Sequence, residues 1–281
     1  MTKIKLKPPC SYQGGKQRLA KKIVDIIFEQ NEINEETKFY DLCCGSGAIT
    51  LELVNRGINP SNITMVDSGG YGRFWQSVAN NKFDLSVFRN ELDKLPRVDG
   101  IQSYLQELSK RAIDYNLVEY HYLLLQSGSF GSKQIWENEG KWNNCSFRSY
   151  WLPTETSNRR SPVNPMMPMP NTLYDRTVSV VETMGGSIKA IHGNIEDIEF
   201  HFDENTIVYI DPPYKGTSGY ESNFDYETFV LNNFNYAKIY VSEGYQMSST
   251  SNTILLSKGR DKGNIRGGMK KKPVEEWLNI F

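Results

Sequence analysis

The sequence carries almost no net charge, because 32 lysine and arginine residues are balanced by 33 aspartate and glutamate residues. The resulting formal charge of −1 excludes a protein that attracts nucleic acid through its whole surface. Any surface that contacts nucleic acid must therefore be local. With 281 residues, the chain is long enough for one large domain or for one domain with a sizeable insertion.

Cysteine and histidine are scarce, with four and three residues respectively. No cysteine pair has the CxxC spacing, and no cysteine and histidine cluster has the spacing of zinc ligands. Cys43 and Cys44 are adjacent within an apolar run, which is typical of a buried strand end rather than of a disulfide framework. We therefore expect reduced structural cysteines and no bound metal.

Long apolar runs are also absent from the sequence. No window approaches the roughly 20 apolar residues that cross a bilayer. The basic segment at 1–7 is not followed by the apolar core of a signal peptide. We therefore expect a protein that works in the cytoplasm without contacting a membrane.

Short apolar and β-branched runs alternate with helical patterns towards both ends of the chain. The spacing of apolar residues predicts helices over 17–30 and 48–56. Strands are predicted over 38–42, 63–66, 206–210, 237–242, 252–256 and 276–281. A strand, a glycine turn and a helix open a βαβ unit, so the pattern predicts an α/β fold with a mostly parallel sheet and helices on both faces.

The middle of the chain interrupts this alternation. A single helix is predicted over 101–126, and a proline-dense run at 161–170 excludes a continuous helix or a central strand there. We interpret 81–170 as an inserted region with a task of its own, which divides a single domain into 1–80 and 171–281. Most of its aromatic side chains are expected to form a small core, namely those of Trp136, Trp142, Phe147, Tyr150 and Trp151.

A glycine turn follows the first predicted strand, with Gly45 and Gly47 on either side of a serine. Such a turn lets the backbone approach a ligand and points a helix N-terminus towards it. Asp67, which closes the second strand, is placed to accept hydrogen bonds from ribose hydroxyls. In the GxGxxG pattern of pyrophosphate-binding turns, the third glycine position is occupied here by Thr50. A nucleoside cofactor without a pyrophosphate therefore fits this turn at least as well as one with a pyrophosphate.

The string Asp-Pro-Pro-Tyr at 211–214 follows a buried strand. Successive prolines hold the backbone extended, so that the carboxylate of Asp211 and the carbonyl of Pro212 can converge on one amino group. Tyr214 offers a flat face on which a heteroaromatic ring can stack. The exocyclic amino group of a base is a poor nucleophile, and two acceptors for its hydrogens would favour a pyramidal nitrogen with an available lone pair.

Three segments resemble motifs of the Dam-like N6-adenine DNA methyltransferases, the D12 class of the alpha group. These are the PPCSYQGGK segment at 8–16, the DLCCGSG segment at 41–47 and the DPPY segment at 211–214. Their order and the gap between the last two, which leaves room for a target-recognition insertion, also match that group. The resemblance implies a Rossmann-like fold that binds S-adenosylmethionine and methylates N6 of adenine in double-stranded DNA.

The resemblance also implies roles for individual residues. Asp211, Pro212 and Tyr214 would be catalytic, with Asp211 also close to the cofactor. The other residues implied in cofactor binding are Tyr12, Lys16, Asp41, Gly45, Gly47, Asp67 and Asn194.

A target base inside a duplex must be flipped out before it can be methylated, and stacking on Tyr214 would offset part of that cost. Phosphate contacts are expected from Arg148, Arg159 and Arg160 in the inserted region. Lysine and arginine residues at 258–272 are further candidates. The segment at 147–153 shares only its start with the family string that accompanies GATC recognition, so no target sequence is predicted.

Two other functions remain open at this point. Related motifs occur in methyltransferases for cytosine N4, RNA adenine and glutamine, although those groups tend to have Ser or Asn at the position of Asp211 and lack the N-terminal GGK segment. A degenerate methyltransferase fold could instead serve as a DNA-binding module, against which the intact site residues argue. The resemblance leaves room for a monomeric enzyme and for a restriction endonuclease as its partner.

Overall fold

The computed structural model describes residues 5–213, 225–248, 250, 252–258 and 275–281. Tyr214 and the basic positions at 260–272 lie outside these residues, so their predicted roles stay predictions. No helix within the described residues is long and apolar enough to cross a membrane.

The described residues form eight α-helices and nine strands. The helices are α1 (Ala20–Gln30), α2 (Ala48–Asn55), α3 (Gly70–Ala79), α4 (Leu85–Asp93), α5 (Ile101–Leu108), α6 (Val118–Gly128), α7 (Pro170–Met184) and α8 (Tyr226–Asn233). The strands are β1 (Lys38–Leu42), β2 (Ile63–Asp67), β3 (Trp136–Asn138), β4 (Lys141–Asn143), β5 (Lys189–His192), β6 (Thr206–Ile210), β7 (Lys238–Glu243), β8 (Asn252–Ser257) and β9 (Glu276–Ile280).

One sheet of seven strands organises the described residues, in the order β5-β2-β1-β6-β7-β9-β8. Strand β9 is antiparallel to both of its neighbours, and the remaining strands are parallel to one another. The predicted α/β fold with a mostly parallel, Rossmann-like sheet is confirmed by this order. The last strand of the main sheet is reversed and lies between its fifth and sixth strands. Strands β3 and β4 form a separate hairpin.

Apolar side chains of successive residues point to opposite faces of the sheet, as the pleat of a strand requires. In β6, Ile207 and Tyr209 join the larger apolar cluster, while Val208 and Ile210 join the smaller one. Helices α1, α2 and α3 contribute to the larger cluster, and α8 contributes to the smaller one. The central strands are therefore buried on both faces, which explains their continuous apolar sequences.

The structure corrects two expectations about secondary structure. The single helix predicted over 101–126 is wrong, because α5 and α6 are separate helices joined by a polar segment at 109–117. Within that segment, the side chain of Asp114 accepts a hydrogen bond from the backbone N–H of Asn116, a local turn that competes with helix. Strand β5 was not predicted, because its four residues, KAIH, contain little apolar pattern.

The region 81–170 contains α4, α5, α6 and the β3–β4 hairpin. Residues of these helices, such as Phe88 and Leu123, belong to the same apolar cluster as Trp75 of α3. Among the aromatic residues expected in a small core, Trp142 and Phe147 are buried, whereas Trp151 is exposed. Trp136 and Tyr150 are half-buried. The boundaries 1–80, 81–170 and 171–281 stay a prediction.

Candidate functional site

The carboxyl ends of β2, β1 and β6 lie side by side, because Leu42 is paired with Val66 on one side and with Ile210 on the other. In open α/β sheets, ligands bind beyond this edge. A cavity of about 310 Å³ opens there. It is lined by Gln134 and by residues from the segments 12–16, 41–49, 67–68, 193–196 and 209–213.

The glycine turn after β1 adopts backbone conformations that favour glycine. Gly45 has a φ of +48° and Gly47 a φ of +72°. A Cβ atom on Gly45 would lie 2.9 Å from the ring of Tyr12, whereas one on Gly47 would lie 2.5 Å from Trp75. Gly45 lines the cavity, but Gly47 packs against the core beneath it, so direct contact of Gly47 with a cofactor stays a prediction.

Asp67 ties the glycine turn to the end of β2. Its two carboxylate oxygens accept backbone hydrogen bonds from Gly45 and Gly69, each at 2.8 Å. Burial raises the pKa of Asp67, and these N–H groups offset part of that rise. The carboxylate lines the cavity, and its remaining lone pairs can accept hydrogen bonds from a ligand.

Asp41 is 2% exposed and points towards the start of α2. Its Oδ2 atom accepts hydrogen bonds from the backbone N–H of Thr50 at 3.2 Å and from the Thr50 hydroxyl at 2.7 Å. Burial raises the pKa of Asp41 to about 7 although both bonds act in the opposite direction. Thr50, which stands at the third position of the glycine pattern, therefore holds the side chain of Asp41 at the floor of the cavity.

Lys16, which is buried, and Asp211, which is half-buried, form an ion pair at the end of β6. Lys16 Nζ donates to Asp211 Oδ1 at 2.5 Å and to the backbone carbonyl of Gly14 at 3.1 Å. Glu276 Oε1, from the start of β9, lies 3.4 Å from the same nitrogen. Burial alone would lower the pKa of Lys16, but the charges of Asp211 and Glu276 raise it above its ordinary value. Lys16 is therefore a stable cation.

Burial raises the pKa of Asp211 to about 6, although the charge of Lys16 and its hydrogen bond act to lower it. The negative charges of Glu276 and Glu243 add to the rise. The Asp211 backbone N–H donates to the carbonyl of Leu42 at 3.2 Å, which fixes the chain as it leaves β6. Pro212 and Pro213 follow directly and line the cavity. At neutral pH, the site presents an ionised carboxylate beside a proline carbonyl.

Tyr12 covers the glycine turn from the N-terminal segment. Its ring lies edge-on against Tyr71, with the ring centroids 5.3 Å apart. The Tyr12 carbonyl accepts a hydrogen bond from the N–H of Gly15 at 3.1 Å, so the GGK segment turns tightly towards Asp211. Tyr12 and Lys16 both line the cavity, and their contact with a cofactor stays a prediction.

Asn194 follows β5 and lines the cavity as an exposed residue. Ile195, which is buried, and Glu196 line it beside Asn194, and neither was predicted. Recognition of β5 would have identified them, since the residues after a parallel strand lie at the ligand edge.

Two further residues were missed by the sequence argument. Ser46 Oγ and Gln134 Oε1 are buried, line the cavity and have no hydrogen-bond partner within the part of the chain that the structure describes. Ser46 stands between the two motif glycines, which is a usable signal. No local pattern marks Gln134.

The arginines predicted to contact DNA do not line the cavity. Arg148 is half-buried, and its Nη2 donates to the Ser132 hydroxyl at 3.1 Å. Arg159 and Arg160 are exposed and donate to carbonyls of their own loop, those of Ser161 at 2.8 Å and Glu155 at 3.1 Å. Contact of these three residues with DNA stays a prediction.

No family model matches the sequence, and no curated protein matches it significantly. A similar solved structure is that of SMU.472, a protein assigned to the methyltransferases and complexed with SAH, at 12% identity and a TM-score of 0.37. The match covers 97% of this chain and 54% of SMU.472, so the chain spans about half the length of that relative.

A second similar structure is that of the rRNA methyltransferase aviRa from Streptomyces viridochromogenes. It has 12% identity and a TM-score of 0.37, with 93% of this chain and 83% of aviRa covered. Both likenesses are too distant to assign a function, so only the geometry of the site supports the function proposed below.

Proposed function

We propose that the protein is an S-adenosylmethionine-dependent methyltransferase that methylates N6 of a flipped adenine in double-stranded DNA. The observation that carries this proposal is the position of Asp211 and Pro212 at the end of β6. They line the same cavity as the glycine turn and Asp67. Two acceptors for the hydrogens of an amino group, a carboxylate and a proline carbonyl, therefore lie next to a site that suits a nucleoside.

The cavity fits S-adenosylmethionine by its size and by its chemistry. Its volume of about 310 Å³ lies within the range of small-molecule sites. Asp67 would accept ribose hydroxyls, and Ile195 would contact the adenine. The buried hydroxyl of Ser46, which has no partner among the described residues, would gain one from the cofactor. When bound, the cofactor supplies an electrophilic methyl group.

Asp211 acts on the target amino group as a hydrogen-bond acceptor rather than as a general base. The carboxylate would accept one amino hydrogen while the carbonyl of Pro212 accepts the other. Each charge-assisted hydrogen bond of this kind contributes about 1.5–3 kcal/mol. Lys16 keeps the buried carboxylate ionised and correctly oriented, and a carboxylate oxygen that accepts one bond retains a lone pair for another donor.

The region 81–170 would contact the DNA around the flipped base. Its exposed Arg159 and Arg160 can reach phosphates without loss of a buried contact, because their partners are carbonyls of their own loop. Binding of this kind weakens with salt, as expected for a chain whose positive charge is local. Tyr214 would stack on the flipped adenine.

The test is transfer of a labelled methyl group from S-adenosylmethionine to unmodified duplex DNA, followed by nucleoside analysis. We expect label in N6-methyladenine. Label in N4-methylcytosine, label in RNA alone, or no label in any nucleic acid would contradict the proposal.

A pair of variants tests the mechanism. Asp211→Ala should abolish transfer while SAH binding falls much less. Asp203→Asn is the matched control, since Asp203 is a half-buried acid beyond the opposite end of β6 that pairs with Lys38. Full activity of Asp211→Ala would refute the assigned role.

A further inference from the structure

We propose that Gln134, from the region 81–170, hydrogen-bonds the ribose hydroxyls of the cofactor through its side-chain amide, beside Asp67. This inference rests on the proposed function, since it assigns a contact to the same nucleoside. It adds to the site a residue from outside the Rossmann-like sheet.

Gln134 is a buried amide with an unmet hydrogen bond. The residue is 7% exposed and lines the cavity. Its Oε1 atom has no hydrogen-bond partner in the described part of the chain. A buried acceptor without a partner is costly, and such atoms are rare in folded proteins. Since the side chain lines the cavity, a ligand bound there can supply a partner for its amide group.

The position of Gln134 next to Asp67 identifies the part of the cofactor. A Cβ atom built on Gly69 would lie 3.1 Å from Gln134 Nε2 and 3.2 Å from Asp67 Oδ1. The amide and the carboxylate therefore flank the same glycine. Both oxygens of Asp67 already accept backbone hydrogen bonds. A ribose has two adjacent hydroxyl groups, and the carboxylate of Asp67 and the amide of Gln134 together offer a hydrogen-bonding partner for each.

The buried side chain of Gln126 holds the backbone on both sides of Gln134. Its Oε1 accepts from the N–H of Ile135 at 3.0 Å, and its Nε2 donates to the carbonyl of Lys133 at 3.0 Å. Asn144 Nδ2 donates to the carbonyl of Gln134 at 2.7 Å. These three hydrogen bonds fix the backbone of the turn that carries Gln134 before any ligand binds. The cofactor site is therefore complete only when the region 81–170 is folded against the sheet.

Calorimetry with SAH tests the contact. Gln134→Met keeps the length of the side chain and removes the acceptor. We expect its Kd for SAH to rise about fivefold to thirtyfold. Lys133→Ala changes an exposed side chain on the same turn and should bind SAH as the wild type does. Equal SAH affinity of Gln134→Met and the wild type would overturn the inference and leave the proposed function intact.

A second ligand and a stability measurement separate this contact from a structural role. For the SAH analogue that lacks both ribose hydroxyls, Gln134→Met and the wild type should bind equally. The denaturation midpoint of the variant without ligand should stay equal or rise, because an unsatisfied buried acceptor is removed. A lowered midpoint, or an equal loss of affinity for the analogue, would overturn the inference. A wild type that does not bind SAH would overturn the proposed function as well.

Discussion

Lys16 Nζ donates to Asp211 Oδ1 at 2.5 Å, although the two residues are 195 positions apart in the sequence. The side chain of Lys16 is 6% exposed and that of Asp211 is 18% exposed, so water screens this pair only weakly. The charge state of the proposed catalytic aspartate therefore depends on a residue near the start of the chain.

The first prediction concerns pH. Because burial raises the pKa of Asp211 to about 6, the carboxyl group is neutral below that pH and cannot accept an amino hydrogen with a full charge. We expect kcat/KM for methyl transfer to fall as the pH is lowered through about 6 and to level off above about 7. A rate profile with duplex DNA checks this, since kcat/KM reports groups of the free enzyme. A flat profile between pH 5 and 7 would exclude Asp211 as the titrating group.

The second prediction concerns Lys16. Its charge lowers the pKa of Asp211, so Lys16→Met should raise that pKa and move the acidic limb of kcat/KM to higher pH. At pH 7 and saturating cofactor, activity should fall by about tenfold or more, with partial recovery at pH 9. Lys16→Arg, which keeps the charge, should leave the limb near its wild-type position. Lys21→Ala on α1 serves as a control, because its exposed side chain pairs only with Asp25 among the described residues. An unshifted limb in Lys16→Met would contradict the coupling.

The third prediction compares two glycines with similar backbone conformations. Gly47→Ala combines a φ of +72° with a Cβ atom 2.5 Å from Trp75, and should lower the free energy of unfolding by about 2 kcal/mol or more. Gly131→Ala has a φ of +70° with nothing within 4 Å, and should cost only about 1–2 kcal/mol. Denaturant unfolding measures both values. If both variants lose the same free energy of unfolding, the Trp75 side chain moves aside to accommodate the new methyl group, and the prediction is wrong.

The fourth prediction concerns Thr50, which is fully buried. Thr50→Val keeps the shape of the side chain and removes the 2.7 Å hydrogen bond to Asp41. The loss of a partner for a buried carboxyl group should destabilise the fold by about 1–3 kcal/mol. The midpoint of thermal or denaturant unfolding checks this. Thr183→Val, whose exposed hydroxyl donates only to the carbonyl of Ser179, is the control and should change the midpoint little.

Much of the sheet and of the cofactor edge could be predicted from the sequence. Strands β1, β2 and β6 are apolar runs that end in turn residues, and parallel strands place the residues after them at one edge. Gly45, Asp67 and Asp211 follow or close such strands, and all three line the cavity at that edge. The strength of these signals follows from burial, because a central strand covered on both faces must be apolar throughout.

Other parts of the site could not be predicted, for physical reasons. Strand β5 lies at the edge of the sheet and is short, with a lysine and a histidine at its ends, so its pattern is weak. Gln134 reaches the cavity through the packing of the region 81–170, and tertiary contact of this kind leaves no period in the sequence. The ion pair of Lys16 with Asp211 likewise depends on how the N-terminal segment crosses the sheet.

Glu276 lies beside Lys16 because β9 runs in the opposite direction to its neighbours in the sheet. Strands β1, β2 and β6 place residues at the cavity at their carboxyl ends, whereas β9 runs the opposite way and places Glu276 beside Lys16 at its start. Its register is set by pairs such as Glu243 with Trp277 and Ser242 with Leu278. A slip of one residue would turn Glu276 to the opposite face of the sheet. Backbone pairing between β7 and β9 therefore keeps Glu276 close to Lys16. Mutations that loosen β9 would change the pKa of Asp211 even though they do not contact Asp211.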